Sequence, residues 1–236
     1  MKNRIKKIVK RIYDICIIDI IQYHCYKLAF QQSIKRFIKD LEVDKIPTDK
    51  SFNRLWKHWN SKWAARPHFL KVCFELSSTN HGPILECGAG LSTIIIGLVR
   101  NRYSMKSVYT LENNLDYGLK LKMILQKLHI KSVEIVIDPL KSYGDYSWYD
   151  ISSCNLPKDI ALVICDGPPG NTPGGRYGLM PIMINHFSEK CIILLDDANR
   201  VEEQQIATNW ANTFKFYLEM HGPLNDTYAM LKRRFV

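Results

Sequence analysis

Apolar positions recur with two different periods along this chain, and the change falls near residue 80. Before it, Ile5, Ile8, Val9, Ile12 and Cys16 return at helical spacing with Lys6, Lys7, Lys10 and Arg11 between them, which predicts a helix over residues 3–39. The polar, proline-containing "VDKIPTDKS" (43–51) breaks that pattern. Two further helices are predicted over 52–64 and 68–79, separated at "RP". Beyond residue 80, "PILEC", "SVYTLE", "SVEIVID", "DIALVICD" and "CIILLDD" are short apolar runs with little alternation, as in strands covered on both faces. Between them, "STIIIGLVRNR", "NLDYGLKLKMILQKLHI", "RYGLMPIMINHF" and "VEEQQIATNWANTF" read as helices. "FKFYLEMHG" and "DTYAMLKRRF" read as two closing strands around a "GPLND" turn. Strands alternating with helices imply an α/β domain: a parallel sheet with helices on both faces. The chain thus divides into a basic amphipathic helical arm (1–42), a helical lead-in (43–80) and the α/β domain (81–236).

Charge singles out the arm. The formal net charge is +10, and residues 1–40 alone hold ten Lys/Arg against three Asp. A smaller basic patch lies at Lys232, Arg233 and Arg234. A basic amphipathic helix can lie on an anionic membrane surface, bind nucleic acid, or pack on its own domain with its charges in water. Asp14, Asp19, His24 and Lys27 interrupt its apolar stretch, which therefore falls short of the roughly 20 apolar residues of a membrane span. No small-residue cleavage site follows, so a secretory signal is not expected. The seven cysteines (16, 25, 73, 87, 154, 165 and 191) lack zinc or redox spacing, and Cys165 and Cys191 fall inside apolar runs. Free thiols and a cytoplasmic location, with the arm at the inner face of a membrane, are the expectation.

The chemistry concentrates where strands are predicted to end. "PILECGAGLST" (83–93) is strand, glycine turn and helix, which brings backbone N–H groups to a ligand. Gly88 and Gly90 carry no Cβ to block close approach. A phosphate-binding loop would need a Lys-Ser/Thr pair that is not there. A dinucleotide site would need a third glycine where Thr93 stands. The third reading is S-adenosylmethionine (SAM), with the turn against the amino-acid part of the cofactor. "LECGAGLST" resembles the first motif of class I SAM-dependent methyltransferases, an acid-x-Gly-x-Gly pattern. That resemblance implies a Rossmann-like fold with seven strands, the last antiparallel, here preceded by a helical N-terminal extension. It places Glu86, Gly88, Ala89, Gly90, Ser92 and Thr93 at the cofactor. Glu112 closes the second predicted strand 24 residues after Gly88, where an acid binds ribose hydroxyls in related folds. Asn113, Asp138 and Pro139 would then flank the adenine.

The run "LVICDGPPGNTPGGRYGLMPIM…CIILLDDANR" resembles a subgroup of these enzymes with a D-G-P-P-G turn, an Arg-Tyr pair and a terminal Asp-Asp. The resemblance covers about residues 80–236. Gly167 and a missing aromatic depart from the [D/N]-P-P-[Y/F/W] motif of amino methyltransferases acting on adenine or glutamine. If the acceptor is a hydroxyl, its proton needs a base, and Asp166 and Asp197 are the catalytic candidates. A likeness to catechol-type O-methyltransferases implies a divalent metal at Asp166, Asp196 and Asp197, although Ala198 stands where those enzymes carry Asn. All-oxygen ligation would favour Mg²⁺ or Ca²⁺. The bland alternative makes Asp196 or Asp197 a helix cap. Arg176 and Tyr177 are candidates for acceptor binding, with a helix-start Arg in solvent as the alternative. Trp56, Trp59 and Trp63 at helical spacing read as core packing before a sugar platform, and His81 and His186 as structural. The acceptor expected is the oxygen of a small molecule or saccharide, including a lipid-linked or cell-surface glycan. RNA or protein methylation steered by the arm, and a non-catalytic SAM-binding subunit, are the alternatives.

Overall fold

The computed structural model describes residues 27–43, 46–103, 108–152 and 154–234. Most of the arm, with its predicted helix and its proposed membrane contact, lies outside the described residues, up to position 26. Two compact units divide the chain, Met1–Ala64 and Ala65–Val236, so the boundary falls inside the stretch 43–80 that the sequence reading kept together.

In the first unit, α1 (27–42) and α2 (Asp49–Trp59) share an aromatic contact set. Phe37 meets Phe52 edge-on at 5.6 Å, and Phe30 meets Trp59 at 5.0 Å. Ser33 Oγ and His58 Nδ1 lie 2.7 Å apart. Asn60, in the left-handed region at φ 52°, ends α2. Trp63 therefore falls off the helical stripe and is 72% exposed, which corrects the reading of all three tryptophans as core.

The second unit opens with α3 (Pro67–Thr79), whose proline sits at the first helical position, where its missing N–H costs nothing. There follow β1 (Ile84–Cys87), α4 (Leu91–Arg102), β2 (Val108–Glu112), α5 (Leu115–Lys127) and β3 (Val133–Ile137). Next come a hairpin of β4 (Leu140–Ser142) and β5 (Ser147–Tyr149), then β6 (Ile160–Cys165) and the short helix α6 (Leu179–Met183). The chain closes with β7 (Phe187–Leu195), α7 (Val201–Thr213), β8 (Phe216–His221) and β9 (Tyr228–Arg233). Seven strands form one sheet in the order β3-β2-β1-β6-β7-β9-β8. Pairing is parallel from β3 to β7, and β9 runs antiparallel to both neighbours. This is the predicted α/β architecture, seven strands with the last antiparallel.

Burial on both faces explains the apolar runs: every residue of β1 is buried, as are Leu162–Cys165 of β6 and Ile193–Leu195 of β7. Arg100, fully buried on α4, donates to the main-chain carbonyls of Ser77, Asn80 and Gly82, and so ties the end of α3 to the sheet. Two elements differ from the pattern reading. The helix predicted from Arg176 starts at Leu179, because Gly174 and Gly175, at φ +70° and +53°, keep the preceding chain in turns. The β4–β5 hairpin, turning at Gly144 with φ +89°, was not predicted. Among the described residues no helix is long and apolar enough to cross a membrane.

Candidate active site

The parallel strands end on one edge, and the residue after each strand continues the ladder to its neighbour. Asp138 N–H donates to Glu112 O (3.0 Å), Gly88 to Leu111 O (2.9 Å), Asp166 to Cys87 O (2.9 Å) and Asp196 to Cys165 O (3.0 Å). Asp138, Glu112, Gly88, Asp166 and Asp196 thus stand in a row across the carboxyl ends of β3, β2, β1, β6 and β7. Between β1 and β6 the order of connections reverses, and open α/β sheets form their ligand crevices at such a point.

One half of the row is built from backbone. Gly88 sits at φ +90°, and a Cβ there would lie 2.9 Å from Gly167 N, so the turns after β1 and β6 press together. Thr93 Oγ1 accepts the Gly90 N–H (2.8 Å) and donates to Glu86 Oε2 (2.7 Å), which also accepts from Thr110 Oγ1 (2.9 Å). Glu86, Ser92 and Thr93 are buried beneath the turn. Their side chains therefore hold the turn from below, where the sequence reading had set them beside the cofactor. Burial pushes the Glu86 pKa up to about 7 against its hydroxyl hydrogen bonds, and Glu86 Oε1 has no partner. Glu112 Oε2 accepts the Ala89 N–H (3.1 Å) and Oε1 the Asn114 N–H (2.6 Å), which fixes the carboxylate at the mouth of the turn. Asn113 and Asp138 are half-buried beside it and Pro139 is exposed. Beside Gly90 the space is open, since an added Cβ would meet only Ser92 Oγ, at 3.9 Å. An open glycine turn, next to a fixed carboxylate with lone pairs to spare, fits the nucleoside and amino-acid parts of SAM.

The other half is a cluster of charges. Asp166, Asp196 and Asp197 each offer a carboxylate oxygen, and these lie within 4.8 Å of one another. Arg176, 2% exposed, is not the solvated helix-start residue of the bland reading. Its Nη2 donates to Asp166 Oδ1 (3.0 Å), Asp197 Oδ2 (2.8 Å) and Asp166 O (2.9 Å), and its Nη1 donates to Asp196 O (2.7 Å). Burial works against its charge, but Asp166, Asp197 and Asp196 outweigh burial and raise its pKa. Burial, with Asp197 adding repulsion and Arg176 opposing, brings Asp166 up to about 7. Asp196 is raised by burial first, then by Asp166 and Asp197. Asp197, at φ 58°, is held in the left-handed region. Neither Asp196 nor Asp197 caps α7, whose N-cap is Arg200. Arg200 Nη2 instead reaches Asp197 Oδ1 (3.0 Å), and its Nη1 lies 3.7 Å from Glu203 Oε1.

Tyr177 is half-buried, with its ring edge-on to Tyr146 at 5.3 Å, and Tyr146 stacks on Tyr143 at 5.7 Å. The hairpin also holds the Pro/Gly-rich loop, through Ser147 N–H to Pro173 O (2.9 Å). His186 Nδ1 donates to Pro157 O (3.0 Å), and His81 is exposed. Sequence reasoning missed Tyr143, Tyr146, Arg200 and Glu203. The turn signal "YGDY" between aromatic residues marks the first two, and nothing local marks Arg200 or Glu203.

No family model matches the chain, and no curated protein matches it. Solved structures do. The SAH-bound methyltransferase of Podospora anserina superposes with a TM-score of 0.58 at 14% identity, over 80% of this chain and 89% of that one. A SAM-dependent O-methyltransferase from Thermotoga maritima gives 0.56 at 12% identity, over 81% and 74%. The precorrin-6y C5,15-methyltransferase of Geobacter metallireducens gives 0.54 at 15% identity, over 74% and 92%. The fold is that of the SAM-dependent methyltransferases. In that fold, the row of strand ends described above is the edge to which the two halves of the candidate site belong.

Proposed function

We propose that the chain is a SAM-dependent methyltransferase acting on a hydroxyl of a small molecule or saccharide. One observation carries the reading: Asp166, a strand-end carboxylate whose Oδ2 has no protein partner among the described residues, adjoins the glycine turn that fits the cofactor. Gly88, Ala89 and Gly90 would hold the amino-acid part, Glu112 the ribose hydroxyls, and Asn113, Asp138 and Pro139 the adenine. When bound, SAM supplies a methyl group activated by its sulfonium. The residues of this chain do the rest. Asp166 takes the acceptor proton on Oδ2, and a base with a pKa of about 7 is matched to work near neutral pH. Arg176 fixes the other oxygen of Asp166, so only one is left for the acceptor. Tyr143, Tyr146 and Tyr177 offer aromatic faces suited to a sugar or a flat ring. Holding the acceptor in line supplies most of the rate gain in a displacement of this kind.

The test is transfer of a labelled methyl group from SAM to a panel of hydroxyl-bearing small molecules and saccharides, read by mass spectrometry. Label on an acceptor oxygen, lost in Asp166→Asn, supports the reading. Label on RNA, or on a protein nitrogen, contradicts it.

A further inference from the structure

We propose that the Arg176 guanidinium permanently occupies the place of a divalent cation among Asp166, Asp196 and Asp197, which makes this site metal-independent. The inference rests on the acceptor-side role given above to Asp166. Four oxygens converge on the two terminal nitrogens of Arg176: Asp166 Oδ1, Asp197 Oδ2, and the main-chain oxygens of Asp166 and Asp196, all at 2.7–3.0 Å. Carboxylates mixed with main-chain carbonyls are the donor set a hard divalent ion takes. Here N–H donors fill it. A cation entering the cluster would meet a fixed positive charge within contact distance of two of its three carboxylates. Both Asp197 oxygens already face fixed cations, Oδ1 paired with Arg200 and Oδ2 with Arg176, so an incoming cation would meet two positive charges there. Its left-handed backbone, uncommon for a residue other than glycine, keeps it turned toward both arginines.

The substitution has a chemical consequence. A divalent ion with open positions binds two adjacent acceptor oxygens at once and acidifies them. Arg176 is buried and its terminal nitrogens are committed to protein oxygens, so it offers the acceptor no such chelation. Arg176 is therefore a positioning residue that acts through Asp166. The acceptor class this site fits carries a single reactive hydroxyl, deprotonated by Asp166, and needs no neighbouring oxygen.

The test is calorimetric titration of Mn²⁺ and Ca²⁺ into the full chain and into Arg176→Ala, with thermal melting and S-adenosylhomocysteine binding as controls for folding. Wild type should show no saturable metal binding. Arg176→Ala should bind Mn²⁺ at least ~tenfold more tightly, because the repelling charge is gone, and Arg176→Ala/Asp166→Asn should lose that binding. Millimolar guanidinium should compete with the metal in Arg176→Ala. Saturable Mn²⁺ binding by wild type that Asp166→Asn removes overturns the proposal. So does a folded Arg176→Ala that gains no metal affinity. If Arg176→Ala does not fold, the wild-type titration, with Asp166→Asn as its control, decides alone. Failure of the methyltransferase reading itself shows separately, as absence of S-adenosylhomocysteine binding.

Discussion

The two halves of the strand-end row solve different electrostatic problems. Around Gly88 and Glu112 the work is done by backbone amides and one carboxylate that they fix, and Glu86, sealed below, carries a raised pKa. Around Asp166 three carboxylates crowd a buried guanidinium, and the balance between burial and pairing shifts Asp166, Asp196 and Arg176. The first arrangement suits a constant ligand. The second suits proton transfer, and it is held together by one side chain from a loop. The cofactor half should therefore tolerate changes in the acceptor half, and the reverse.

The largest separation should come from Asp166→Asn. Loss of a general base costs on the order of 10²–10⁴ in rate. Turnover should fall by that range while S-adenosylhomocysteine affinity stays near wild type, and a parallel loss of both would join the halves the structure separates. Arg176→Ala comes next. It leaves carboxylates uncompensated, so stability should drop by about 3–5 kcal/mol in denaturant unfolding. The loss should be greater at pH 8 than at pH 5, where the acids can take up protons instead. An unchanged unfolding midpoint would mean the cluster does not depend on its arginine.

Glu86 gives a smaller effect with a defined sign. Its folded pKa of about 7 lies above the ordinary 4.5. Below pH 4.5 it is neutral whether folded or unfolded; between there and 7 it ionises only in the unfolded chain, so stability falls as pH rises. The full loss is about 3 kcal/mol. Glu86→Gln should flatten the decline in thermal midpoint across that window, and equal slopes in the two proteins would contradict a buried neutral Glu86. The smallest change is expected outside both halves: Trp63→Ala, at a side chain 72% exposed, should stay within about 0.5 kcal/mol of wild-type stability.

Legibility in the sequence followed the same division. Apolar runs covered on both faces, glycine turns and strand-end acids are local patterns, so the strands and the residues Gly88, Glu112, Asp166 and Asp196 at their ends were readable. The partners of those acids were not. Arg176 reaches Asp197 across 21 positions, and burial alone turns a helix-start arginine into the centre of the cluster. Glu86 and Thr93 carry the residue types of a cofactor contact, yet both are buried and hydrogen-bond to each other under the turn. Trp63 kept helical spacing only on paper, since Asn60 had already ended the helix.

The central claim is that the glycine turn and Glu112 form a SAM site separate from the acid cluster. Calorimetry with SAM, S-adenosylhomocysteine and NAD on wild type, Glu112→Ala and Asp166→Asn tests it most directly. Hydrogen bonds to a charged group contribute about 1.5–3 kcal/mol each, so Glu112→Ala should weaken both SAM and S-adenosylhomocysteine by roughly tenfold or more. Asp166→Asn should leave them within about threefold of wild type. NAD should not compete. No saturable SAM binding by wild type, tight NAD binding in its place, or full affinity in Glu112→Ala would contradict the account.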